Sequence, residues 1–190
     1  MKRAAGFLAA AVLMAAFGLK TKPITGIVPE CADLDLASNI YLVTEKQVLI
    51  KYNSKGDSLK AVSCAQYGTE AMIDASNPLE IMVFFPLTGK VAVYDNQLNI
   101  ISETGIFEDN MSLLPAAFGR SSDGKVWLLD KSSRTIKKFD RQGKMVQESL
   151  QLLEYNFSDT IQRIRDQGTR VLLSDGKNTF MEYGQSLSLV

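Results

Sequence analysis

The sequence predicts an all-β chain folded as a β-propeller of four-stranded blades, with about four repeats present as a four-bladed ring or an open, shortened arc. Three observations predict it. The aromatics Tyr52, Tyr94, Phe139 and Tyr183 recur 42, 45 and 44 residues apart. An apolar strand containing Tyr41, Met82, Trp127 or Leu172 stands eleven or twelve residues before each aromatic. Turn-forming residues separate these strands and follow each aromatic. A period of 40 to 50 residues with several strands per period is the signature of a propeller.

In chain order, the first element is a leader. Lys2 and Arg3 precede an apolar run from Ala4 to Leu19, and Ala16-Phe17-Gly18 places small residues at the −3 and −1 positions of a cut after Gly18. This is the pattern of a secretory signal peptide over residues 1–18. The run is short for a membrane span of about 20 residues, although a retained anchor is the alternative. Lipid attachment would need a cysteine directly after the run, and the first cysteine is Cys31. Residues 19–31, with Pro23 and Pro29, read as an extended leader, and 32–190 as the propeller domain.

The first unit supplies the strands "ADLDLA", "NIYLVT", "VLIKYN" and "SLKAVS", and the second "AMIDAS", "EIMVFF", "KVAVYD" and "NIISET". The third supplies "PAAFGR", "KVWLLD", "TIKKFD" and "MVQESL", and the fourth "TIQRIR", "RVLLSD", "TFMEY" and "SLSLV". The second strand of each unit lacks apolar/polar alternation, which predicts that both its faces are covered by neighbouring blades. Gly56 and Gly143 each fall four residues past an aromatic, where a hairpin turn needs a positive φ. Helical periodicity is weak throughout. "SLLPAAF" contains Pro115, and "YNFSDTIQRIRDQ" leads into a turn and a strand.

The stretches "NIYLVTEKQVLIKYNSKGDSLK", "NPLEIMVFFPLTGKVAVYDNQLNIIS" and "SSDGKVWLLDKSSRTIKKFDRQGKMVQES" resemble the repeats of uncharacterised exported propeller proteins of Bacteroidetes-type bacteria, with NHL-like repeats. The resemblance covers Ala37 to Ser149 well and the remainder loosely. It implies the fold and export, and it brings no catalytic residues. Such proteins run on for one or two further blades, whereas this chain stops at Val190. An open arc would leave apolar blade faces exposed and favour a homo-oligomer.

Composition bounds the chemistry. Apolar residues make up 46% and charged residues 22%, which fits a globular chain. Lys plus Arg and Asp plus Glu are both 21, so no global charge points to nucleic acid. There is no histidine, which excludes Ser-His-Asp and Cys-His nucleophile systems and histidine metal sites. Ser122 to Lys125 and Ser174 to Lys177 spell S-x-x-K, but their Asp-Gly pairs read as hairpin turns. Asp33 and Asp35 share a strand face without a calcium-loop pattern after them. Cys31 and Cys64 would meet an oxidising compartment, which allows one disulfide. Eight Lys or Arg residues against three Asp between Arg120 and Lys144 read as a solvated blade edge, with an anionic-partner patch as the alternative.

A propeller's first strands line its channel. The polar residues expected there are Asp33, Asp35, Asp74, Arg120, Arg163 and Arg165. No catalytic, cofactor or metal set is assigned, and no cofactor is expected. The leading expectation is an exported, non-enzymatic binding or scaffold module of the cell envelope, periplasmic or extracellular, with a protein or glycan partner and no nucleic acid. Contact with the membrane is expected only if the signal is retained. One alternative is a small propeller hydrolase, lactonase-like, with a carboxylate metal site in the channel. The other is a truncated propeller without an independent role.

Overall fold

The structure, a computed structural model, describes residues 24, 26–107, 113–151, 161–175, 180–184 and 186–187. The expected signal peptide lies outside them. Among the described residues fifteen strands form four antiparallel sheets, one per repeat, arranged as a four-blade β-propeller. The first blade is β1 (Pro29–Leu34), β2 (Ile40–Thr44), β3 (Val48–Tyr52) and β4 (Ser58–Ser63). The second is β5 (Met72–Asp74), β6 (Ile81–Phe85), β7 (Lys90–Tyr94) and β8 (Ile100–Gly105). The third is β9 (Pro115–Arg120), β10 (Val126–Asp130), β11 (Thr135–Phe139) and β12 (Met145–Glu148). The fourth is β13 (Arg163–Asp166), β14 (Arg170–Ser174) and β15 (Phe180–Gly184). Each strand pairs with its sequence neighbour.

Two boundaries differ from the sequence reading. β1 begins at Pro29, so the last residues of the expected leader already belong to the first blade. A register shift between Pro29 and Cys31 lets the chain bend into the strand there. Past β15, Ser186 and Leu187 form a turn; the rest of the expected strand at 186–190 lies outside the described residues.

The turns after Tyr52, Tyr94 and Phe139 repeat one device. Asn53 Oδ1 accepts the Lys55 and Asp57 N–H groups, Asp95 Oδ1 those of Gln97 and Asn99, and Asp140 Oδ1 those of Gln142 and Lys144. A short polar side chain thus bonds the backbone two and four residues on and closes the turn locally. The residue four past the aromatic is left-handed in every unit: Gly56 (φ 79°), Leu98 (54°), Gly143 (82°) and Leu187 (61°). Only two of the four are glycine. Leu98 and Leu187 are 2% and 5% exposed, so burial of the side chain offsets the conformational cost of about 1 kcal/mol or more that a non-glycine residue carries there.

Three apolar clusters weld the blades in series. Tyr41, Val43 and Leu49 meet Ile81, Val83 and Phe85 between blades one and two. Met82, Phe84 and Val91 meet Phe118, Leu128 and Phe139 between two and three. Trp127, Leu129 and Ile136 meet Ile164, Val171 and Leu173 between three and four. Successive residues of β6, and of β10 from Val126 to Leu129, therefore serve alternate clusters, which is why these stretches are apolar throughout. Among the described residues no such cluster joins the fourth blade to the first.

Cys31 and Cys64 are free thiols in place of the disulfide the sequence allows. Cys31 sits in β1 while Cys64 follows β4, with β2 and β3 between those strands. Burial pushes their pKa values up to about 12 and about 11. The basic third blade is largely neutralised. Lys125 and Lys138 pair with Asp123, Lys137 with Asp130 and Glu148, and Arg120 and Arg141 with Glu80. Most of these cations are thus paired, and Lys137 and Lys138 are largely buried on β11, between β10 and β12, and not on a solvated edge.

Candidate functional site

The strand registers place four residues at one equivalent level of the channel. Asp33 lies opposite Tyr41, Asp74 opposite Met82, Gly119 opposite Trp127 and Arg165 opposite Leu172. The level thus carries two carboxylates, a bare backbone and a guanidinium. Arg165 Nη2 donates to both oxygens of Asp33 at 2.5 and 2.6 Å, and its Nη1 stands 2.8 Å from Asp74 Oδ2. Asp33 and Asp74 are 7% and 1% exposed. Burial works against the Arg165 charge, but Asp74 and Asp33 outweigh it and raise its pKa above the ordinary arginine value.

Both aspartates also accept from the next blade. Asp33 Oδ2 accepts the Ala75 N–H at 2.8 Å, and Asp74 Oδ2 accepts the Arg120 N–H at 2.9 Å. Asp74 Oδ1 accepts the Ser76 N–H and hydroxyl. Each carboxylate therefore ties its blade to the following one and receives a fixed cation in return.

Above this level a cavity of about 230 Å³ opens between the starts of the inner strands. Met72, Phe118 and Ile164 give it an apolar wall, and Glu30, Gln162 and Arg163 give it polar groups. Glu30 is held from both sides. Its Oε1 accepts the Ala71 N–H at 2.7 Å and its Oε2 accepts from Gln47 Nε2 at 2.9 Å. Arg163 reaches only to 3.8 Å from Asp33 Oδ1 and its side chain is 56% exposed.

Of the six residues expected in the channel, Asp33, Asp74 and Arg165 come together and Arg163 lines the cavity. Asp35 and Arg120 serve elsewhere. Asp35 closes the β1–β2 turn, accepting from the Ala37 and Asn39 N–H groups, Asn39 Nδ2 and the Tyr41 hydroxyl. These bonds overcome burial and hold its carboxyl below the usual range. The Arg120 side chain pairs with Glu80 at 2.8 Å. The sequence reading missed Glu30, because the irregularity at Pro29–Cys31 breaks the alternation that would have flagged it.

Asp33 and Asp74 also bear on metal chemistry. The guanidinium of Arg165 occupies the space between them and supplies the positive charge a cation would bring. Among the described residues no group of three or more His, Cys, Asp or Glu converges to hold a metal ion.

No protein-family model matches the chain. No curated protein sequence matches it. Solved structures do. A catalytically inactive histidine-to-alanine variant of virginiamycin B lyase from Staphylococcus aureus, bound to quinupristin, superposes with a TM-score of 0.61 at 11% identity, over 90% of this chain and 57% of that one. A protein of unknown function from Bacteroides caccae gives 0.61 at 10% identity, over 87% and 60%. The WD40 repeats of RRP9 give 0.61 at 10%, over 90% and 52%. The chain thus spans little more than half the length of these structures. One is an enzyme, one carries WD40 repeats and one has no known function, so what they share with this chain is the β-propeller fold.

Proposed function

We propose that the chain is a non-enzymatic binding or scaffold module, exported to the cell envelope, with its ligand seated in the channel cavity. The observation that carries this reading is the state of the channel carboxylates. Asp33 and Asp74 have their oxygens engaged by Arg165 and by backbone N–H groups. A general acid or base needs a lone pair or proton to offer a substrate within hydrogen-bond reach. These groups instead hold blades together beneath an open, partly apolar cavity, which suits binding.

The lyase neighbour invites an enzymatic reading. It is described as inactive after loss of a histidine, and this chain has no histidine. The hydrolase alternative requires a cation between Asp33 and Asp74, where Arg165 now sits. Calcium titration separates the two: an unchanged Tm supports the binding module, and a calcium-dependent rise supports the carboxylate metal site. Export is tested by fractionating cells that make the full chain with a C-terminal epitope. The expected product is extracytoplasmic and begins at Leu19; recovery of the uncut chain in the cytoplasm would overturn export.

A further inference from the structure

We propose that the channel cavity binds a small zwitterion, an amino acid or short peptide with an apolar side chain. The proposal rests on the binding-module reading above and adds the ligand class. Its starting point is charge. Around the cavity and the level beneath it stand three carboxylates, Glu30, Asp33 and Asp74, and two guanidiniums, Arg163 and Arg165. Arg165 is consumed by the two aspartates. That leaves Glu30 on β1 and Arg163 on β13 as the groups of opposite sign that face the open space.

Both have capacity to spare. Each Glu30 oxygen accepts one hydrogen bond from the chain, and an ionised carboxylate offers about four lone-pair sites. The Arg163 guanidinium has five donors, and its contact with Asp33, at 3.8 Å, is beyond hydrogen-bond length. A simple anion would gain Arg163 but meet a surplus of negative charge. A simple cation would gain Glu30 and leave Arg163 unanswered. A ligand with an ammonium and a carboxylate group satisfies both and leaves the local balance unchanged.

The rest of the cavity fits that ligand. Ala32, Met72 and Ile73, exposed or half-buried in its lining, offer an apolar surface for a side chain. The volume of about 230 Å³ lies below the range of roughly 300–1,000 Å³ typical of drug-sized sites. The ligand is therefore a metabolite-sized molecule.

Calorimetry on the purified full-length protein tests this with L-leucine, leucinamide and N-acetyl-L-leucine. Leucine should bind, while the amide, which lacks the carboxylate, and the acetylated form, which lacks the ammonium, should bind about tenfold more weakly or worse. Arg163→Gln, at an exposed side chain that no cluster depends on, should weaken leucine about tenfold and remove the preference over leucinamide. Equal binding of either blocked form, or no binding of leucine, phenylalanine or dialanine at millimolar concentration, overturns the assignment. Neither result touches export or the calcium test, so failure here is distinct from failure of the module reading.

Discussion

β13 has two flanks, and they are sealed in opposite ways. Toward β9 the seal is shape. Gly119 lets the strands approach so closely that a Cβ built there would lie 2.4 Å from the Ile164 carbonyl oxygen. Trp127 fills the space beside it, fully buried, with Nε1 donating to Asp166 at 2.8 Å and Lys138 Nζ 4.7 Å from its ring centroid. Toward β1 the seal is charge, through Arg165 to Asp33. An apolar seam depends on removing surface from water and is nearly indifferent to salt. A charged seam carries a desolvation cost and is weakened by screening wherever water reaches it. The same strand can thus be held firmly on one side and conditionally on the other.

Breaking the shape-sealed flank should have the largest effect. Trp127→Ala removes the largest buried side chain of the third cluster and leaves Asp166 short of a donor, a loss of about 3–5 kcal/mol measured by urea unfolding. Gly119→Ala should cost roughly 1–3 kcal/mol, because the added methyl group meets backbone that has no room to move. A loss below about 0.5 kcal/mol for either would mean the β9–β13 contact is looser than described.

The charge-sealed flank should give less. Arg165→Met leaves Asp33 and Asp74 without their cation, but the arginine is about a third exposed, so water recovers part of the loss. The expected cost is about 1–2 kcal/mol, largely regained when both aspartates are also changed to Asn. No recovery in the triple variant would show that Arg165 acts through packing and not through charge.

The smallest effect is an acid slope on the shape-sealed side. Burial raises the Asp166 carboxyl, but bonds from Trp127, Gly168, Ser122 and Ser121 more than offset it and hold the pKa below the usual value. Asp130 is lowered likewise, by Ser133, the Leu114 N–H, Lys137 and Ser132. A carboxyl depressed in the folded state stabilises fully above its unfolded pKa of about 3.9 and loses that contribution as pH falls toward the folded value. Stability should therefore decline below about pH 4, and Asp166→Asn should flatten part of the decline. An unchanged slope in that variant would place the acid sensitivity elsewhere.

The sequence carried the blades well and the channel poorly, for one physical reason. Strand faces and turns are local: Tyr52, Tyr94 and Phe139 lie beside the Asn or Asp that closes the next turn, and all of this can be read within a few residues. The left-handed Leu98 was hidden because burial, not glycine, stabilises it. The channel is non-local. Asp33, Asp74 and Arg165 are legible in the sequence only as polar residues of first strands, and their convergence depends on how four blades turn about an axis. Asp35 shares that pattern but falls just past the end of β1 and caps a turn. Glu30 escaped because the chain bends before it enters the regular ladder.

The Arg165–Asp33 pair spans 132 residues of sequence, whereas the hydrogen bonds Ala75–Asp33, Arg120–Asp74 and Trp127–Asp166 join neighbouring blades about 40 residues apart. Such a chain can assemble as a zipper, each blade nucleating on the one before it. The long-range ion pair gains nothing until all four blades are in place, so on that route it forms last, and if blade docking limits the rate it is absent from the rate-limiting step. Its loss should leave the refolding rate nearly unchanged and appear almost wholly as faster unfolding. The arginine at the channel level is then a kinetic clasp, setting how long the assembled propeller lasts and not how quickly it forms.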